Sequence, residues 1–228
     1  MSVTSRALIY SKRRGLRMGY AHPMPVQYLF QTPVYSAVLD SRAGAALNRR
    51  LLRESLQLRA EDRAGRAWSA RNYPDGYTSY NSRCQLQRVS PTFAQLERRL
   101  DRHVRRFAKT LDLDLKGKRL QMTDCWVNIM RRRAVHGLHL HPLSTISGTY
   151  YVQVPRGSSG LKLEDPRLPR YMAAPPRRAR ARARNRTWVT LPARAGRVVL
   201  FESWLSHEVP SNPARGERIS VSFNYGWF

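Results

Sequence analysis

Six histidines occur in the 228-residue chain, and three of them fall within six consecutive positions, His136-Gly-Leu-His139-Leu-His141. Imidazole is the commonest protein metal ligand and suits zinc, copper, iron and nickel alike. In an extended strand alternate side chains share a face, so His139 and His141 can both reach one ion. A third ligand has to come from elsewhere, and the candidate is His207, which follows the apolar run Val198-Val-Leu-Phe201. His136 is read as lying just before the strand, near the entrance. The competing reading makes the clustered histidines polar surface residues on a half-exposed strand.

Beyond His207 stands Arg218-Ile-Ser220, at the start of a β-rich segment, where Arg218 and Ser220 share a face. A guanidinium offers a planar two-pronged donor, and a serine hydroxyl adds one more, which together make a clamp for a carboxylate. A strand-borne metal site beside such a clamp is what a chelating 2-oxo acid requires. Tyr151, on the strand after the clustered histidines, can add a phenolic hydrogen bond. The alternative for Arg218 is a structural salt bridge to Glu217, Glu208 or Glu202.

These residues need a framework. Residues 26–39, β-branched and aromatic with Pro33 inside, read as an edge strand. Asp40-Ser-Arg looks like a helix cap, and Leu47, Leu51, Leu52 and Leu56 give residues 45–60 helical periodicity. Tyr73-Pro-Asp-Gly is turn chemistry, so residues 73–81 read as a loop. Ser90-Pro91 supplies a cap and first residue for a second helix, with Phe93, Leu96, Leu100, Val104, Phe107 and Leu111 on one stripe. From Leu120 onward the pattern turns to short strands: 122–130, 139–141, 147–154, 161–163, 187–191, 197–201 and 218–225. Helices followed by many short strands predict a mainly β protein with flanking helices, an antiparallel jelly roll of cupin-like, double-stranded β-helix type. The division expected is a basic amino-terminal arm at 1–24 and one domain at 25–228.

Within that domain, residues 166–186 break the rhythm with tandem prolines and an Arg-Ala alternation that cannot bury an apolar face. Arg177, Arg178, Arg180, Arg182, Arg184 and Arg186 make this insertion either an anion-binding flap or a solvated loop. The whole chain carries 41 Lys+Arg against 15 Asp+Glu, a formal charge of +26, nearly all of it arginine. Such a surface attracts polyanions, nucleic acid included, whether or not that is its purpose. Trp126, Trp188, Trp204 and Trp227 read as core rather than as base-stacking platforms. Cys84 and Cys125 fit a reduced, cytoplasmic protein, and no run approaches the ~20 apolar residues of a membrane span.

The ordered string Trp126-Val-Asn128, His139-Leu-His141-Pro, Ser147-Gly-Thr-Tyr-Tyr-Val, Leu161-Lys-Leu-Glu-Asp165-Pro, Val198-Val-Leu-Phe201, His207-Glu-Val and Arg218-Ile-Ser-Val-Ser-Phe-Asn resembles the Fe(II)/2-oxoglutarate-dependent oxygenases, in the branch with a His-x-His-Pro motif. The opening Leu29-Phe-Gln-Thr-Pro-Val-Tyr is similar to that branch as well, so the resemblance runs from about residue 26 to the end. It implies a dioxygenase using Fe(II), 2-oxoglutarate and O2, and the residues themselves favour His139, His141 and His207 as the iron ligands. It also implies 2-oxoglutarate on Arg218, with Ser220, Tyr151 and Asn128 around it. Hydroxylation of a small-molecule or peptide substrate, of anionic character if the flap recruits it, is the outcome implied, with succinate and CO2 as coproducts. The chain departs from most of that superfamily, which has His-x-Asp where His139-Leu-His141 stands. Asp165 is therefore the reserve ligand. A polyanion-binding module on the same scaffold, and a three-histidine cupin enzyme that does not use 2-oxoglutarate, are the other readings.

Overall fold

The computed structural model describes residues 26–39 and 44–228. The basic arm at 1–24 and the Asp40-Ser-Arg cap lie outside the described residues. Residues 1–31 and 32–228 form separate units. In the first, the described residues 26–31 are irregular, with Gln31 Nε2 donating to the Tyr28 carbonyl at 3.4 Å.

The second unit begins with β1 (Tyr35–Val38), much shorter than the strand expected over 26–39. Pro33 has no N–H to give a ladder, and pairing starts only beyond it, along the sheet edge with β8 (Arg197–Glu202). Helix α1 (Gly44–Glu61) follows. Helix α2 (Arg63–Asn72) was not expected; its N-cap is Asp62, whose side chain accepts from Gly65 N–H at 2.9 Å. The region read as a loop contains β2 (Gly76–Thr78). After a one-turn α3 (Leu86–Val89) comes α4 (Pro91–Thr110), where Ser90 Oγ accepts from Thr92 and Phe93 N–H. Its stripe of Phe93, Leu96, Leu100, Val104 and Phe107 is buried.

The remaining strands are β3 (Leu120–Met130), β4 (His136–His139), β5 (Ile146–Gln153), β6 (Leu161–Glu164), β7 (Trp188–Leu191), β8, β9 (His207–Val209) and β10 (Arg218–Trp227). They form a six-stranded sheet in the order β1-β8-β5-β10-β3-β2 and a four-stranded sheet in the order β4-β9-β6-β7. All strand pairings in the two sheets are antiparallel, and the architecture is the double-stranded β-helix. No helix among the described residues is long and apolar enough to cross a membrane.

Strand alternation gives the six-stranded sheet two unlike faces. Ile219, Val221 and Phe223 of β10 join Val127 and Ile129 of β3, Tyr150 and Val152 of β5, and Leu47, Leu51, Leu96 and Leu100 of the helices in one core. The intervening residues, Arg218, Ser220, Ser222 and Asn224, belong to the opposite face. Across the ladder Ser220 pairs with Asn128 and Tyr151, Ser222 with Trp126 and Thr149, and Asn224 with Asp124 and Ser147. That face carries Met130, Tyr151, Val199 and Phe201 into a second core with Leu161, Leu163 and Val209 of the smaller sheet. At Gly148 a Cβ would meet the Val199 carbonyl at 2.6 Å, so only glycine lets β5 and β8 lie this close. Among the tryptophans read as core, Trp126 is buried, whereas Trp204 and Trp227 are nearly half exposed because they fall at a turn and at a strand end.

Candidate metal centre

Strand β4 ends at His139, so His141 lies just beyond it rather than inside the strand expected at 139–141. Its backbone N–H is nevertheless held by the Ser203 carbonyl at 2.9 Å. His207 lies on its own short strand, β9, directly opposite His139 in the β4–β9 register, which sets the two rings 4.3 Å apart. The His141 ring stands 5.1 Å from His207 and 5.2 Å from His139. One ligand nitrogen from each of the three lies within 4.8 Å of the others. His136 opens β4, stacked on His139 at 4.4 Å and 10°.

The hydrogen bonds behind the rings decide which nitrogen faces inward. Nδ1 of His139 lies 2.7 Å from the Gly137 carbonyl, Nδ1 of His207 2.8 Å from the Leu205 carbonyl, and Nδ1 of His141 2.7 Å from Asn224 Oδ1. Each partner is an acceptor, so each Nδ1 carries the proton and each Nε2 keeps its lone pair. The Asn224 orientation is itself fixed, because its Nδ2 donates to Asp124 Oδ2 at 3.3 Å and its Oδ1 also accepts from Ser147 at 2.8 Å. His141 Nε2 is buried and has no hydrogen-bond partner. Three neutral imidazoles of one tautomer, one with an orphaned buried nitrogen, fit a transition-metal ion.

Burial also keeps the rings neutral. It pushes His136 and His207 down to about 3 and His141 down to about 4, and lowers His139 too. Above the ordinary value of 6.5 these imidazoles are neutral whether the chain is folded or not. Below it the unfolded chain takes up protons that the buried rings refuse until about 3 to 4, so the stability present above 6.5 is lost as pH falls through this window. Metal-free protein is expected to melt at a lower temperature near pH 5 than near pH 7, with a shallower slope in His141→Gln. A melting temperature flat across that range would contradict the burial of neutral rings.

Asp165 takes no part in the cluster. Arg167 grips both its oxygens, at 2.9 and 2.8 Å, and Tyr171 donates to Oδ2 at 2.9 Å. Among the described residues no carboxylate joins the three histidines.

Arg218 lines the same pocket as the histidines and is 2% exposed. Two of the glutamates named as its partners are paired elsewhere, Glu217 with Arg59 at 2.6 Å and Glu208 with Lys162 at 2.7 Å, and Glu202 makes no ion pair with it. Its guanidinium donates to the Ser159 carbonyl at 3.1 Å and Met130 Sδ at 3.4 Å, and lies 5.0 Å from the Tyr151 ring centre. No acidic side chain neutralises it among the described residues. A buried cation without a counter-charge is costly, and such a site invites an anion. Two phenols point to the same conclusion: the hydroxyls of Tyr151 and Tyr73 are buried without a hydrogen-bond partner. Burial raises both phenols and Arg218 pulls both down; they remain protonated donors at neutral pH. Tyr73 is absent from the sequence-derived set because it sits in the turn Tyr73-Pro-Asp-Gly, and no periodicity there announces a buried side chain. Ser220 and Asn128 line the pocket, Asn128 donating to Ser222 Oγ at 3.0 Å with its own Oδ1 left unpaired. None of Arg177, Arg178, Arg180, Arg182, Arg184 or Arg186 lines it; that stretch is exposed and carries only a single short 3-10 turn, Ala183–Asn185.

Residues 124–224 match the family model described as "Putative 2OG-Fe(II) oxygenase". No curated protein sequence matches the chain. Solved structures with similar folds include HygX from Streptomyces hygroscopicus with nickel, 2-oxoglutarate and hygromycin B bound, at 18% identity over 86% of this chain and 83% of that one, TM-score 0.55. A Pseudomonas putida prolyl-4-hydroxylase aligns at 15% identity over 86% and 94%, TM-score 0.56. The epimerase SnoN in complex with Fe3+, alpha ketoglutarate and nogalamycin RO aligns at 15% identity over 86% and 79%, TM-score 0.58. At such identities these likenesses establish the fold.

Proposed function

We propose that this chain, whose residues 124–224 match the 2OG-Fe(II) oxygenase family model, is such an oxygenase, that His139, His141 and His207 hold Fe(II) through Nε2, that Arg218 holds the far carboxylate of 2-oxoglutarate, and that the reaction is hydroxylation of an organic substrate. The observation that carries this reading is the buried Arg218, with no acidic partner among the described residues, in one pocket with the three histidines whose ligand nitrogens converge. When bound, iron with 2-oxoglutarate and O2 supplies the oxidising chemistry, and the cosubstrate leaves as succinate and CO2.

The chain's own contribution is placement and charge. Arg218 offers donors that match a carboxylate, and the buried hydroxyls of Tyr73 and Tyr151, which lack a hydrogen-bond partner of good geometry among the described residues, add further donors. Leu161, Phe201 and Val209 give the pocket apolar walls that limit water. Three neutral ligands leave the ion with its full positive charge, one unit more than two histidines and a carboxylate would. A doubly anionic 2-oxo acid suits that surplus, and the +26 field of the whole chain favours its capture at low salt.

The test is anaerobic titration with Fe(II) and then 2-oxoglutarate, watching for the weak visible charge-transfer band of the chelate. Its appearance is expected. The absence of a carboxylate ligand favours a second reading, a three-histidine enzyme that does not use 2-oxoglutarate, and metal-loaded protein that shows no band would select it. Protein that binds no metal would overturn both.

A further inference from the structure

The pocket of the histidines shares Trp126, His136, His139 and His141 with a second concavity, which Trp68, Tyr80 and Leu140 extend outward. Its chemistry is unlike the rest of the molecule. The chain has 41 Lys+Arg and 15 Asp+Glu, yet among the described residues none of these side chains lines the concavity. Behind it, Asp124 accepts from the Thr123 hydroxyl at 2.8 Å and from the Asn224 amide at 3.3 Å. An anion placed there would find no counter-charge among the described residues.

The walls are rings. Tyr80 and Trp126 stand 4.9 Å apart at 59°, and Trp126 stacks on His141 at 5.8 Å and 28°. Trp126 is buried, but Tyr80 is 47% exposed and Leu140 45% exposed, so apolar and aromatic surface is left uncovered beside the metal ligands. The Tyr80 wall is also held in place. Ser79 N–H donates to the Val127 carbonyl at 3.0 Å, and Ser79 Oγ accepts from Val127 N–H at 3.1 Å, which ties the loop to β3. Ser82 Oγ in turn donates to the N-capping Asp62 at 2.5 Å. A wall fixed beforehand gives up little freedom when a ligand arrives.

We infer that this concavity binds an uncharged, planar ring of the substrate, bracketed by Trp68, Tyr80 and Trp126 and presented toward His139 and His141. The assignment of this ring as the part oxidised rests on the oxygenase reading above; the ring site itself does not. Flat rings meet aromatic walls by offset or edge-to-face contact, and a saturated ring of similar size cannot do so as well. The arginine-rich surface lies outside the concavity and does not set what enters it.

The test is saturation-transfer NMR on the full-length protein, with and without Fe(II) and 2-oxoglutarate. The probes are indole, cyclohexanol, benzoate and tetramethylammonium. Indole is expected to bind saturably and more tightly than the other three, to lose about tenfold in affinity in Tyr80→Ala, and to keep it in Tyr80→Phe. Equal indole affinity in wild type and Tyr80→Ala would overturn the proposal, as would cyclohexanol, benzoate or tetramethylammonium binding as tightly as indole. Indole bound at this site without any chelate band leaves the ring site standing and removes the oxygenase reading. A chelate band with no indole binding does the reverse.

Discussion

Protein carrying His207→Ala is expected to lose iron on desalting, with affinity reduced more than the 10–100-fold typical of changes behind a metal ligand. His207 is 5% exposed, sits across the ladder from His139, and has its Nδ1 committed to Leu205, which leaves its Nε2 to face the other two ligand rings. Because the ring is buried and neutral, its removal leaves a small cavity and no unpaired charge, and the fold should survive. Metal analysis beside a far-ultraviolet spectrum separates ligand loss from unfolding. Stoichiometric iron in folded His207→Ala protein would refute the assignment.

The second large effect is expected at Arg218. Arg218→Leu should weaken 2-oxoglutarate binding by about a hundredfold or more, from the loss of roughly 3 kcal/mol of charge-assisted hydrogen bonding. Iron loading should be untouched. The same change should leave the cosubstrate-free protein as stable as before or more so, because it removes a buried guanidinium that has no acidic partner. A structural arginine would behave oppositely, with stability falling and cosubstrate affinity little changed. Tyr73→Phe separates the hydroxyl from the ring: affinity for 2-oxoglutarate should fall about tenfold, and removal of an unsatisfied buried hydroxyl should not destabilise the free protein. Titration of each variant by the chelate band, beside its melting temperature, decides between the two roles.

The strands that carry the site were legible where alternation is long. β3, β5, β8 and β10 are runs of six residues or more with β-branched and aromatic residues, and their period of two is visible without a structure. β9 was not, since His207-Glu-Val is three residues long and shows no period. α2 was missed because its sequence, Arg-Ala-Gly-Arg-Ala-Trp-Ser-Ala-Arg-Asn, has one large apolar residue and no stripe; what fixes its start is Asp62, an interaction between a side chain and a backbone turn. The histidines announced themselves by type and crowding. Tyr73 did not, because its burial near enough to Arg218 to feel that charge depends on a turn, and that is a property of the fold rather than of any local pattern. The same holds for Asn224, whose amide selects the tautomer of His141.

The two parts of the site also belong to different sheets. His139 and His207 stand on β4 and β9 of the four-stranded sheet, whereas Arg218 opens β10 of the six-stranded one. The smaller sheet has short strands and joins the larger through side-chain packing, not through ladder hydrogen bonds. A molecule that reaches from the imidazoles to the guanidinium therefore works as a rivet between the layers. Occupancy raises the work needed to peel β4 and β9 away, and slows amide exchange there more than in the helix-backed sheet, which keeps its own core either way.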